Sequence, residues 1–571
     1  MEPTPFDRSF FANARITRMG EGSIGGKAAG LLDSLETLEG LRQGFEAEGV
    51  SIEIPQSAVI ATSHFDDFME RNDLKAPAMC GMPDERIAHL FQRAELPPPL
   101  VSDLGTIAAQ VKSPMAVRSS SMLEDDLAHP FAGVYSTVMI PNNQTDLAGR
   151  LKRLSEAIKL VYASTFFGPS RRYLKSIGRD LGDEKMAVLL QEVVGRRRDS
   201  RFYPHISAVA RSHNHYPFGH AAREDGVVEL ALGLGKTIVD GEGGWSYCPA
   251  YPRSPAPFKG VGDMMKQTQK SFWAIDMNPT TRYSVSREDT HLVSCTLTQA
   301  EYDGTLEGVA STYDPRSDAI VPGIGRDGPR ILTFAPLLQM GDSPVNDCVR
   351  ALMTSCERDR GGPVEIELAL EVDPPGPPTI HLLQTRSMRS PGRTVTIPAE
   401  DLNRAGLLVS SDLVLGDGER RDMRDIVYIK PESFEPRLSV RAAAELERVD
   451  GILSAEGKRY LLIGFGRFGT TDFWRGVPVE WAQISSARAI VEVYREGMET
   501  EFSQGSHFFH NMTSFSVSYF SVVPRRGYHV DWKWLEALPA EWEGELVRHV
   551  RAPAGMRIAV DGAAGRGVIE R

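Results

Sequence analysis

Residues 364–372, Val-Glu-Ile-Glu-Leu-Ala-Leu-Glu-Val, and 379–386, Thr-Ile-His-Leu-Leu-Gln-Thr-Arg, flank the run Asp373-Pro374-Pro375-Gly376-Pro377-Pro378. That run cannot continue a strand, so the two apolar segments read as a β-hairpin. Strand side chains alternate, which puts Glu365 and Glu367 on one face, and Gln384 and Arg386 on one face of the neighbouring strand. Two carboxylates so close in an apolar strand repel unless a cation neutralises them. Mg²⁺ takes a few carboxylates together with phosphate oxygens, which makes it the natural candidate. The competing reading is a half-exposed hairpin with a mixed-charge outer face.

N-terminal to this hairpin, Gly22-Ser23-Ile24-Gly25-Gly26-Lys27 opens directly into 28–41, where Leu31, Leu35 and Leu38 share a helical face with Leu32 beside it. Such a loop lets backbone amides approach phosphate oxygens, and Lys27 adds a mobile point charge. A Gly-rich turn with a surface Lys is the plainer alternative, since the full Walker spacing is absent. Residues 115–120 and 186–194 read as strands, the second almost wholly buried, with a helix over 145–166 between them. Arg118 leaves the first strand into Ser119-Ser120-Ser121, a setting for a phosphate clamp or for a structural pair with Glu124, Asp125 or Asp126. Beyond residue 205 the pattern turns β-rich, at 206–210 and 227–232. The polar segment 387–397 is a candidate boundary, followed by helical stretches at 440–449 and 531–550 and strands at 459–463, 516–523 and 557–561.

The chain has 571 residues, enough for two to four domains, and a formal charge of −12, which argues against broad nucleic-acid binding. Arg196-Arg197-Arg198 reads as a solvated turn. Five scattered cysteines lack metal-ligand spacing and suit reduced thiols in a cytoplasmic protein. No signal peptide and no bilayer-length apolar run is visible, so no membrane partner is expected. Homodimer formation is left open.

Taken together, these segments resemble the nucleotide-binding part of phosphoenolpyruvate synthases and pyruvate phosphate dikinases. Gly25-Gly26-Lys27-x-x-x-Leu31, Ala116-Val117-Arg118-Ser119-Ser120 with Glu124-Asp125 and Phe131-Ala132-Gly133, the 188–194 strand, Gly233-Leu234-Gly235, Glu365-x-Glu367 and Leu383-Gln384-Thr385-Arg386 follow that family's motifs in order. The resemblance implies an α+β / α/β fold: an ATP-grasp-like module of two subdomains, 1–205 and 206–392, then a separate mixed α/β C-terminal domain, 393–571. It assigns Lys27 and Arg118 to the phosphates of ATP, Glu365 and Glu367 to Mg²⁺, and Gln384 and Arg386 to the transferred phosphoryl region. Gln191 and Glu192 fall near the family's adenine-binding hinge. The implied activity is an ATP- and Mg²⁺-dependent phosphotransferase, acting on a small molecule or a protein histidine.

Departures accompany the matches. Position 236 is Lys where the family has Glu, Glu365 stands where Asp is more frequent, and 205–225 does not keep the family's strand. The family's phosphohistidine domain and its pyruvate-binding barrel are not recognisable. Gly505-Ser506-His507 echoes the family's Gly-x-x-Ser-His segment, which makes His507 a candidate phosphoacceptor and His510 a second one. Structural histidines near aromatics are the plainer reading. Gly464-Phe465-Gly466-Arg467-Phe468-Gly469 matches a dinucleotide fingerprint in spacing, but no apolar helix follows it. The missing domains also admit a protein of another class, a regulator that senses ATP without turning it over.

Overall fold

The computed structural model describes residues 3–571 except 8–13, 125–132, 242, 255–257, 259, 280–283, 285, 340–343, 373–375, 389–394, 471–473 and 496–506, and except the side chains of Ser176, His507, His510 and Ser514. Among the described residues the fold is mixed α/β with several sheets. One six-stranded sheet runs in the order Thr4–Pro5, Ile16–Met19, Ser57–Ile60, Met186–Glu192, Met115–Ser121, Thr137–Ile140. A second runs Trp245–Tyr247, Val227–Leu232, Ile206–Arg211, Val364–Glu371, Thr379–Ser387, Ser51–Glu53. The 364–371 and 379–387 strands pair antiparallel, as their shared turn run requires, although residues 373–375 lie outside the described residues. Ser51–Glu53, from early in the chain, completes this second sheet by pairing parallel with 379–387.

The helix Gly25–Ala47 lies between these sheets. It starts within the Gly-rich loop, so Lys27 sits in its first turn. Leu31, Leu32 and Leu38 are buried, each contributing roughly 2 kcal/mol by leaving water, while Leu35 is half-buried at the edge of the same core. Two glycines permit close backbone approach on either side. A Cβ on Gly25, whose φ is +74°, would stand 1.5 Å from the Ser120 carbonyl oxygen, and one on Gly30 would stand 2.5 Å from that of Thr385. Ser120 Oγ donates to the Ile24 carbonyl at 2.8 Å, and Ser34 Oγ to Thr385 Oγ1 at 3.0 Å. One rod is thereby stitched to both sheets.

The C-terminal region carries its own sheet, with Gly418–Ile429, Tyr460–Phe465, Ala487–Val493 and Ser518–Val522 parallel in sequence order at its centre. The helix Ser439–Ala455 makes the first crossover. The stretch expected to be helical over 531–550 is so only at Trp532–Ala537; Ala540–Glu543 and Val547–Asp561 are strands of this sheet. Alternating Val547, His549 and β-branched Val550 favour pairing with the 418–429 strand over a helical face. Arg196–Arg198 is likewise a short strand paired with Arg201–Tyr203, not a turn. After Tyr460–Phe465 the described residues form the short strand Arg467–Phe468 and no helix directly behind it, so the glycine spacing there lacks the dinucleotide-binding context. No helix among the described residues is long and apolar enough to cross a membrane.

Two consequences are measurable. Gly25→Ala, which forces a methyl against the Ser120 carbonyl from a left-handed backbone, should cost about 2–3 kcal/mol and lower the thermal midpoint by several degrees. An unchanged midpoint would show that the helix does not lean on that strand. Asp450, buried on the 439–455 helix, accepts bonds from Tyr460 Oη at 3.1 Å and the Ser486 amide at 2.9 Å, yet burial pushes its carboxyl up from 3.8 to about 6. The folded chain therefore binds this proton more tightly than the unfolded chain, and stability falls as pH rises through that window, by about 3 kcal/mol in full. Thermal midpoints from pH 3.5 to 7 should show the wild type losing ground to Asp450→Asn; parallel curves would refute the assignment.

Candidate functional site

A cavity of about 380 Å³ lies between the two six-stranded sheets, and Lys27, Arg118, Gln191, Glu192, Glu367, Gln384 and Arg386 all line it. Arg118 is its centre. It lies in the middle of the first-sheet strand Met115–Ser121, which runs on through residues 119–121 rather than turning there. Its planar fork reaches the hairpin of the second sheet: Nη2 donates to Glu367 Oε2 at 3.0 Å and Gln384 Oε1 at 2.7 Å. Nη1 donates to Gln191 Oε1 at 3.1 Å and to the Leu383 carbonyl at 3.2 Å. That carbonyl is available because the ladder slips by one residue between Glu367 and Leu368, so Leu383 sits at a bulge. The register places Glu367 opposite Gln384 and Glu365 opposite Arg386, two adjacent rows on one face.

Lys27 takes a different carboxylate. Its Nζ is 2.7 Å from Glu124 Oε1 and 3.2 Å from Ser119 Oγ, and Ser119 Oγ also donates to Glu124 at 2.7 Å. Glu124 therefore pairs with Lys27, while the carboxylate on Arg118 is the remote Glu367. Asp125, Asp126, Phe131 and Ala132 of the same motif lie outside the described residues. Glu365 lies deeper. It is fully buried, with Oε1 accepting from Arg386 Nε at 2.5 Å and Oε2 from Arg211 Nε at 2.6 Å. Removing one partner of such a buried pair costs roughly 3–5 kcal/mol.

Part of the remaining wall is apolar: Met139, Val193, Leu234, Val239 and Leu292 bound a slot suited to a flat ring, with Lys236, Asp240, Glu288 and Asp289 also lining the cavity. At its margin the buried Gln191 Nε2 has no hydrogen-bond partner among the described residues. The Glu192 carboxylate is taken by the Ser113 hydroxyl. Lys236 also lines the cavity, its Nζ 2.6 Å from Asp240 Oδ2 and 5.3 Å from the centroid of the Trp273 ring. Glu288, whose carboxyl burial raises, accepts from the Thr137 amide at 3.3 Å and ties the loop before the 292–296 strand to the first sheet.

The cavity thus has a cationic end with hydroxyls and amides, and an apolar end. Among the described residues no group of three or more His, Cys, Asp or Glu side chains forms a self-contained metal cage. Of the two hairpin carboxylates, Glu367 faces the cavity and suits a cation that arrives with phosphate oxygens. Sequence reasoning missed Arg211 and Glu288; Arg211 becomes visible only when strand order sets it beside Glu365. His507 and His510 begin and punctuate the helix His507–Ser514, but their side chains lie outside the described residues.

Comparison with known proteins agrees with this layout. Over residues 21–404 the chain matches the family model of the pyruvate phosphate dikinase AMP/ATP-binding domain. It is also 28% identical over 188 residues to an uncharacterized phosphotransferase, YvkC, of Bacillus subtilis (strain 168). That match covers 33% of this chain and 20% of YvkC, so the chain spans about a fifth of the relative's length. With a family model covering more than half of its length and the motif residues lining one cavity, the chain belongs to the pyruvate phosphate dikinase AMP/ATP-binding domain family.

Proposed function

We propose that the chain is an ATP- and Mg²⁺-dependent phosphotransferase of ATP-grasp type, with nucleotide-binding lobes over 1–205 and 206–392 and a further cytoplasmic domain over 393–571. The observation that carries this reading is the Arg118 fork, which joins two sheets at one end of a cavity that also holds Lys27, Glu367, Gln384 and Arg386. Phosphoryl transfer needs positioning and charge neutralisation more than covalent help from the protein. Lys27, Arg118 and Arg386 would take the phosphate oxygens, and the apolar slot beside Gln191 the adenine. Glu367 would hold Mg²⁺, which, when bound with the nucleotide, neutralises charge on the bridging phosphates. As the acceptor's lone pair closes on phosphorus, the bond to the departing nucleotide oxygen breaks, and Arg118 and Arg386 stabilise the charge that collects there. The acceptor would be a small molecule or a protein histidine; within this chain His507 first and His510 second would carry the phosphoryl group, since a neutral imidazole is a competent nucleophile.

Incubation with ATP and Mg²⁺ should yield AMP or ADP; unchanged ATP in the presence of tight binding would point to a sensor instead. Arg118→Ala should lower turnover by more than about tenfold, the order of one lost phosphate clamp, and wild-type turnover would remove Arg118 from the site. With γ- and β-labelled ATP, acid-labile label should appear on the protein and vanish in His507→Ala or His510→Ala. Label that persists in both variants would eliminate these acceptors.

A further inference from the structure

We propose that Glu365 is a positioning residue whose permanent counter-ion is Arg211, and that the pair fixes Arg386 at the cavity while Glu367 alone of the hairpin's two inward carboxylates serves the metal. The inference rests on the nucleotide-dependent reading above and refines it.

Strand order makes the arrangement unavoidable. Arg211 lies directly opposite Glu365 on one side, and Arg386 directly opposite Glu365 on the other, so three charged side chains form a row across three adjacent strands. The row is dry: the side chains of Arg211, Glu365 and Arg386 are 1%, 2% and 7% exposed. Each Glu365 oxygen accepts from a different guanidinium, Oε2 from Arg211 and Oε1 from Arg386. Among the described residues neither Nη of Arg211 has a hydrogen bond, and Glu229 adds a longer ion pair to Nη1 at 3.9 Å. Among the described residues Glu365 is thus the carboxylate that Arg211 hydrogen-bonds, and a metal that drew Glu365 away would leave this buried guanidinium with only the longer Glu229 pair.

Glu367 is placed differently. Its side chain is 21% exposed and lines the cavity, where Glu365 does not. Its partner Arg118 also donates to Gln191, Gln384 and the Leu383 carbonyl, so it keeps several acceptors when Glu367 turns to a cation. A divalent ion is one way to neutralise a paired-carboxylate strand; at Glu365 this chain has built the cation into the neighbouring strand. Arg386, anchored from behind through Glu365, meets the ligand with its fork already oriented.

The test measures Mn²⁺ binding by electron paramagnetic resonance in the presence of a non-hydrolysable ATP analogue, with turnover recorded separately. Glu367→Gln should weaken Mn²⁺ by about tenfold or more, while Glu365→Gln leaves it within about threefold and lowers turnover through a loosened Arg386. Equal losses of Mn²⁺ affinity in the two variants would overturn the proposal. Should Glu365→Gln fail to fold, Arg211→Met/Glu365→Leu removes both charges of the pair: retained Mn²⁺ binding supports the assignment and its loss refutes it. A wild-type chain that binds no Mn²⁺ with the analogue would instead bring down the nucleotide-dependent reading, and this inference with it.

Discussion

The helix Gly25–Ala47 is the constraint on which the site depends. Because Gly25 and Gly30 lack side chains, its backbone touches strands of both six-stranded sheets and sets the gap between them. Backbone lies against backbone at those contacts, with the Ser120 and Ser34 hydroxyls and the Arg360 guanidinium bonded beside them. The cavity is the remainder of that gap, and Lys27 enters it from the first turn of the same helix. Loss of this wedge would leave the Arg118 fork without the distance it must span.

Much of the fold was legible in the sequence because it is written in periodicity and turn residues. The 364–371 and 379–387 strands follow from alternation around a Pro-Gly run, and the 439–455 helix from its apolar face. The segment 531–550 was misread because its tryptophans and leucines satisfy a helical face as well as a pleated one; pairing with the 418–429 strand, a tertiary contact, decided the outcome.

The site was legible in part for a related reason. Lys27, Arg118, Glu367, Gln384 and Arg386 sit in local patterns, and all five line one cavity. Their partners are another matter. That Glu124 would meet Lys27 depends on how the helix packs on the first sheet, and that Glu367 would meet Arg118 on how the two sheets face each other; local pattern carries neither. Arg211 is the clearest case. Within 205–225 it looks like one of several scattered basic residues; beside Glu365 it is half of a buried ion pair.

The pairing of charges at the cationic end has one more implication. Arg118 pairs with Glu367, and Lys27 with Glu124. A lone polyphosphate would have to pull Arg118 from Glu367 and leave that carboxylate facing like charge. A lone metal would have to pull Glu367 from Arg118 and leave a cation facing a cation. On the reading proposed above, a nucleotide and metal arriving as one complex would let Arg118 exchange its carboxylate for phosphate and Glu367 exchange its arginine for metal. On that reading, such an exchange of partners would favour the pre-assembled chelate over either component, an admission rule written in charge rather than in shape.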